Sequence, residues 1–230
     1  LEKHIRKHGS SGYILIGDLT SFFDNIMHWA VMKLLRKDFH DLRLLGLTED
    51  MIKQFDPDTP PESRKGLGLG SQISQLLAPA VASTLDHYVK EVLRIKYYGR
   101  YMDDFYLIHE DKEYLKFCRE RIREKCAELG LQLSERKTHI IKLTHGFTFL
   151  KVRMFVTPTG KVIRKIHPSS IVRQRRKMKK LQRRYLAGKM TYRDVYNSFQ
   201  SWSSHAKRFN AHRTLNNMEI LYAQLFISRR

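Results

Sequence analysis

The sequence predicts an α+β fold, an antiparallel sheet backed by helices and followed by an all-helical region, and three observations carry that expectation. Short β-type runs are interleaved with helical stretches up to about residue 160. Two of the runs, Ile95-Lys96-Tyr97-Tyr98 and Phe105-Tyr106-Leu107-Ile108, flank Tyr101-Met102-Asp103-Asp104 as the arms of a hairpin flank its tip. Residues 161–230 then hold three helical stretches and most of the net charge. A chain of 230 residues can bury a substantial core as one large domain or two modest ones.

The elements follow in order. Gly12 to Asp18 reads as a buried strand ending in an acid, and Asp24 or Asn25 is placed to cap a helix reaching about Phe39. Thr48 to Phe55 reads as a short helix starting at a Thr-Glu-Asp cap. Pro57, Pro60 and Pro61 make the next stretch a loop, because proline removes a donor and fixes φ. Lys65 to Gln72 alternates glycine with other residues and leads into a helix from about Ile73 to Ile95. Such glycines let backbone approach a ligand and a helix start offers free N–H groups, although the Lys-Ser/Thr ending of a P-loop is missing and a flexible turn is the other reading.

After the acidic hairpin, Glu113 to Leu129 is expected as a helix with Leu115, Cys118, Ile122 and Cys126 inward, ended by Gly130. Leu131 to Ser134 and Thr138 to Leu143 read as short strands around Glu135-Arg136-Lys137-Thr138. Phe147 to Leu150 with Val152 to Val156 reads as a further hairpin, turning at Pro158-Thr159-Gly160. Helices near Ser169 to Leu186, Thr191 to Lys207 and Ala211 to Phe226 complete the chain, with Gly188 between the first two. No internal repeat or low-complexity segment interrupts it.

Charge is unevenly distributed. The net +20 arises from 43 basic and 23 acidic residues, and residues 161–230 hold 18 of the basic ones against only Asp194 and Glu219. That region is the candidate surface for a polyanion, the other reading being a solvated basic helix face. A membrane surface fits poorly, because the cations between Arg173 and Arg184 leave no broad apolar face. No apolar run approaches the roughly 20 residues of a membrane span and the first residues do not read as a signal peptide, so a cytoplasmic location is expected. Cys118 and Cys126 lie about 12 Å apart along one helix, too far for a disulfide, and read as reduced thiols.

Chemistry concentrates in the acidic residues. Two carboxylates a few ångströms apart repel unless a cation sits with them, so Asp103 and Asp104 at a hairpin tip suggest a divalent metal site, with an Asp-Asp turn as the alternative. Asp18 at a strand end and the glycine-rich loop complete the inventory that two-metal phosphoryl transfer requires.

In order along the chain, these segments resemble the motifs of reverse transcriptases. Asp18-Leu19-Thr20-Ser21-Phe22-Phe23-Asp24 is similar to that family's first acidic motif and Tyr101-Met102-Asp103-Asp104 to its acidic hairpin. Gly70-Ser71-Gln72-Ile73-Ser74-Gln75 resembles the loop motif of diversity-generating retroelement enzymes and related bacterial reverse transcriptases, where most group II intron enzymes have Ser-Pro. Gly130 to Thr138 resembles the next motif, and Gly146-Phe147-Thr148-Phe149-Leu150 the primer grip.

The resemblance implies a polymerase palm over residues 1–160, with only a remnant of fingers, and a basic helical thumb over 161–230. It implies an RNA-directed DNA polymerase using Mg²⁺ or Mn²⁺, with an RNA template, a DNA or RNA primer and dNTPs as partners, and leaves open an unidentified accessory protein. Asp18 and Asp103 would bind both ions, the Leu19 carbonyl would help hold one, and Asp104 would support the pair electrostatically. Phe23 stands at the steric-gate position, a core aromatic being the other reading. Gly70 and Gln72 would border the nucleotide and template base. Lys137 would approach the pyrophosphate, unless it is a surface lysine.

Phe149 and Leu150 would form the primer grip. Arg173, Arg175, Arg176, Lys177, Lys179, Lys180, Arg183 and Arg184 would hold backbone phosphates. Trp202, Tyr185 and Tyr192 could stack on bases, but their helical spacing favours a thumb core. Leu69 departs from the Gln of many relatives and Lys151 from a common Gly. Only 17 residues precede Asp18 and the first is not Met, so a fragment lacking most of its fingers is expected. A non-catalytic RNA-binding scaffold or maturase-like fragment is the alternative function, while Phe23 disfavours an RNA-dependent RNA polymerase.

Overall fold

The run Tyr-Ile-Leu-Ile-Gly-Asp forms strand β1, Tyr13–Asp18, in the computed structural model, which describes residues 1–227. Arg229 and Arg230, counted in the basic region, lie outside the described residues. β1 is buried almost throughout because it is paired on both edges, with β3 (Asp104–His109) and with β4 (His139–Lys142). With β2, Tyr97–Tyr101, these strands make an antiparallel sheet of order β2-β3-β1-β4. The chain divides into two compact units, Leu1–Leu143 and Thr144–Arg230.

Helices supply the rest of the first unit: α1 (Glu2–His8), α2 (Phe22–Asn25), α3 (His28–Asp38), α4 (Leu42–Lys53), α5 (Gln72–His87) and α6 (Lys112–Glu128). Leu15, Phe105 and Leu107 of the sheet share a core with Leu77, Val81 and Leu85 of α5. Leu115, Cys118, Ile122 and Cys126 of α6 join that core at helical spacing, as the sequence predicts. Burial pushes the Cys118 thiol up to about 11 and the Cys126 thiol to about 12, so both are inert packing groups. Gly17 sits under the Phe105 ring, where a built Cβ would come within 2.2 Å of it. No helix among the described residues is long and apolar enough to cross a membrane.

Several boundaries differ from the sequence reading. Helix α3 starts after Met27, because Asp24 and Asn25 belong to α2 and the Asn25 amide donates to the Thr20 carbonyl. Helix α4 starts earlier than expected, since the Asp41 carboxylate accepts from the Arg43 and Leu44 amides. Thr48 is then mid-helix and its hydroxyl donates to the Leu44 carbonyl instead of capping. Helix α5 widens into a π turn over Tyr88–Val92, so Ile95 lies beyond it in the core. Leu131 to Ser134 forms no strand, only a bridge between Leu133 and Leu19.

Among the described residues the second unit has a three-stranded antiparallel sheet and three helices. β5 (Phe147–Phe149) and β6 (Val152–Val156) form the expected hairpin, but it turns at Leu150 and Lys151, both with positive φ. Pro158 to Gly160 turns instead into β7 (Val162–Ile166), a strand that the sequence reading did not name. Helices α7 (Pro168–Leu186), α8 (Tyr192–Ala206) and α9 (His212–Phe226) bury Met178, Leu181, Val195, Phe199, Met218, Tyr222 and Phe226 between them. Tyr185, Tyr192 and Trp202 pack against that core, the second of the two readings above.

Candidate active site

The register of the first sheet brings the predicted acids together. Asp18, the last residue of β1, is the direct partner of Asp104, the first of β3, and the Leu19 amide donates to the Asp103 carbonyl at 3.1 Å. Met102 at the tip has φ 54, a left-handed conformation that a side chain enters only at a cost. The far side of Asp18 is closed by the segment after α6: the Ser134 amide donates to the Asp18 carbonyl and the Thr20 amide to that of Gln132, each at 2.8 Å.

That pairing delivers Lys137. Its ammonium donates to both carboxylate oxygens of Asp18 at 2.9 Å, while the Asp18 side chain is itself buried. The hydrogen bond to Asp18 is the main cause of a raised Lys137 pKa, with Asp103 and Asp104 adding to it. The Asp104 carboxyl is raised by burial first, then by the charges of Asp103 and Asp18, with Lys137 opposing. Carboxylates in mutual repulsion beside a lysine are a centre short of positive charge.

Among the described residues no three His, Cys, Asp or Glu side chains gather closely enough to hold an ion by themselves. A carboxylate pair with a backbone carbonyl nevertheless suits Mg²⁺, which usually binds through one or two carboxylates plus substrate phosphates. The chemistry of these donors therefore fits a hard divalent cation.

The remaining predicted residues distribute as follows. Phe23 is half-buried on α2, with its ring edge-on to buried Phe22 at 5.4 Å. Its carbonyl accepts from the Leu67 amide, that of Ile26 from Gly66, and that of Arg64 from His28. The first part of the glycine-rich loop is thus fastened to the segment following Asp18, more than a free turn would be. Gly70 (φ 93) and Gln72 are exposed where α5 begins, and no hydrogen bond joins them to the carboxylates among the described residues.

In the second unit, Phe149 is buried and Leu150 exposed at the β5–β6 turn. All eight predicted cations of α7 are exposed, and none has an ion-pair partner among the described residues. Gln174, Met178 and Leu181 form the buried seam between them.

One part of the site is not among the residues the sequence predicts. Arg100 of β2 forks onto Asp86 of α5 and also donates to the Met102 carbonyl. Asp86 is the one acid in an otherwise apolar and neutral helix, and Arg100 directly precedes the tip; together these were the available signals.

Comparison with known proteins bears on the whole arrangement. The family model described as reverse transcriptase (RNA-dependent DNA polymerase) matches residues 2–186. Protein YkfC of Escherichia coli (strain K12) is 28% identical over 180 residues, which cover 62% of this chain and 46% of that protein. The chain therefore spans about half the length of this curated relative. Among solved structures, apo telomerase from Candida tropicalis, truncated from its C-terminal domain, matches 71% of this chain and 38% of its own at a TM-score of 0.52 and 14% identity. Telomerase from Candida albicans in complex with the TWJ fragment of telomeric RNA matches 71% of this chain and 33% of its own at 0.54 and 15%. At such identities the two structures show a shared fold.

Proposed function

The chain belongs to the reverse transcriptase (RNA-dependent DNA polymerase) family, and from that premise we propose that it extends a primer 3′-hydroxyl with deoxynucleotides on an RNA template. The observation that carries the reading is the register pairing of Asp18 with Asp104, which unites two acidic motifs around one lysine. Residues 1–160 would serve as palm and 161–230 as thumb.

Asp18, Asp103 and the Leu19 carbonyl would hold Mg²⁺ or Mn²⁺, whose chemistry when bound is to acidify the primer hydroxyl and neutralise charge on the triphosphate. Asp104 supports that charge from β3. Lys137, whose ammonium donates to Asp18, would give a proton to departing pyrophosphate. The Phe23 ring would lie under the sugar and exclude a 2′-hydroxyl, with Gly70 and Gln72 bordering the nucleotide and template base. Phe149 and Leu150 would steady the primer end, and the cations of α7 would hold backbone phosphates without reading sequence.

Primer extension by the full-length protein on an RNA template, with dNTPs and Mg²⁺, tests this. Replacing Asp103 and Asp104 together by Ala is expected to abolish extension; surviving activity would sink the assigned mechanism. The exposed cations of α7 favour one other reading, an RNA-binding scaffold. Salt-sensitive RNA binding that ignores those substitutions, with no extension by the intact protein, would favour it. Competition between dNTP and rNTP in Phe23→Ala separates DNA from RNA synthesis.

A further inference from the structure

Arg100 reaches from β2 into helix α5. Its Nε donates to Asp86 Oδ1 at 2.8 Å and its Nη2 to Asp86 Oδ2 at 2.6 Å, a two-pronged fork. The third nitrogen, Nη1, donates to the Met102 carbonyl at 2.9 Å, and Nη2 also approaches the Pro79 carbonyl at 3.4 Å. The Tyr98 hydroxyl donates to Asp86 Oδ1 at 2.5 Å, and the Arg100 side chain is only 9% exposed. Burial works against the guanidinium charge, yet Asp86 more than compensates and the Arg100 pKa is raised.

The position of these bonds matters more than their number. The β2–β3 ladder stops at the Tyr101 and Asp104 pair, so Met102 and Asp103 project beyond it. Two hydrogen bonds among the described residues hold that projection: the amide of Leu19, the residue after β1, donates to the Asp103 carbonyl, and Arg100 donates to the Met102 carbonyl. The second matters because Met102 is held in a left-handed conformation that a loose tip would abandon. Through Asp86, next to last in α5, the same guanidinium is fixed to the far end of the helix whose first residue, Gln72, follows the glycine-rich loop.

We propose that Arg100 is a positioning residue, fixing the acidic tip to helix α5 so that Asp103, Asp104 and the Gly70 to Gln72 loop share one rigid frame. The inference rests on the polymerase reading of this site. Lysine cannot replace it, since a point charge cannot span a carboxylate fork and a separate carbonyl at once.

The test uses the full-length protein and three readouts: amide exchange over residues 101–104, Mn²⁺ binding by electron paramagnetic resonance, and primer-extension kinetics. Arg100→Lys is expected to keep cooperative melting. It should speed exchange at the tip about tenfold, weaken Mn²⁺ binding severalfold and lower kcat about tenfold with KM for dNTP little changed. Tyr98→Phe removes one Asp86 bond while leaving the fork, and is expected to match wild type throughout.

Wild-type exchange and Mn²⁺ binding in Arg100→Lys overturn the proposal, as does an equal loss in Tyr98→Phe, which would mean general loosening. Should Arg100→Lys not fold, Arg100→Gln with Asp86→Asn removes both charges of the pair and is read in the same way. If the wild-type protein binds Mn²⁺ but extends no primer, the polymerase reading falls while exchange and Mn²⁺ binding still decide the role of Arg100.

Discussion

Lys137 donates to both carboxylate oxygens of Asp18 at 2.9 Å, although 119 residues separate the two in sequence. The Asp18 side chain is 7% exposed and that of Lys137 61%, so a buried charge is balanced by a cation that faces solvent. Removing the cation strands the carboxylate. Lys137→Met is expected to cost about 1 kcal/mol in metal-free protein, a figure kept small because solvent screens the lysine. Added Mn²⁺ should raise the melting temperature more in the variant than in wild type. Equal gains in a thermal-shift titration would show that Lys137 does not substitute for a bound cation.

Asp104 gives the same cluster a pH signature. Its carboxyl is raised by burial, then by Asp103 and Asp18, so the folded protein holds this proton more tightly than the unfolded chain. The stability it contributes is fully present below the unfolded value of about 4 and is lost as pH rises through the folded value. Asp104→Asn is therefore expected to melt higher than wild type at pH 7 in chelator, with the difference shrinking towards pH 4. A variant less stable than wild type at pH 7 contradicts the repulsion described here.

The exposed cations of α7 make a quantitative claim about salt. Each phosphate contact contributes roughly one unit to the slope of log affinity against log salt concentration. Arg176→Ala and Lys180→Ala are each expected to reduce that slope by about one on an RNA/DNA duplex, equally for unrelated sequences. Fluorescence anisotropy across a salt series measures it, and an unchanged slope would remove both residues from the interface.

Gly17 tests the packing beneath the site. A methyl group there would meet the Phe105 ring at 2.2 Å, in a strand fixed on both edges. Gly17→Ala is expected to cost about 1 to 3 kcal/mol by overpacking. Denaturant unfolding measures the loss, and Gly17→Ala with Phe105→Leu should recover part of it.

What the sequence disclosed and what it hid have distinct causes. Asp103 and Asp104 could be placed at a tip because the runs on either side are β-type, and α6 could be oriented because Leu115, Cys118, Ile122 and Cys126 repeat at helical spacing. The start of α4 was misread because Thr48-Glu49-Asp50 imitates a cap, whereas Asp41 had the amides within reach. Strand β7 went unnamed because Arg164 and Lys165 interrupt its apolar run, although Val162 and Ile166 are buried. The Arg100 fork is harder to read for a different reason: a lone acid in α5 and an arginine before the tip are its only signals, and only packing between α5 and β2 joins them.

The two edges of β1 also set when this centre can come into being. Tyr13 pairs with His109 on one side and Lys142 on the other, so both neighbours are distant in sequence. The hairpin of β2 and β3 can close locally, but contacts of such separation form slowly, and synthesis delivers the amino-terminal strand first. A growing chain thus carries Asp18 without Lys137 beside it until 119 further residues have been added. The acidic cluster cannot assemble piecemeal as the chain emerges; it arises only once strands from opposite ends of the first 142 residues have met.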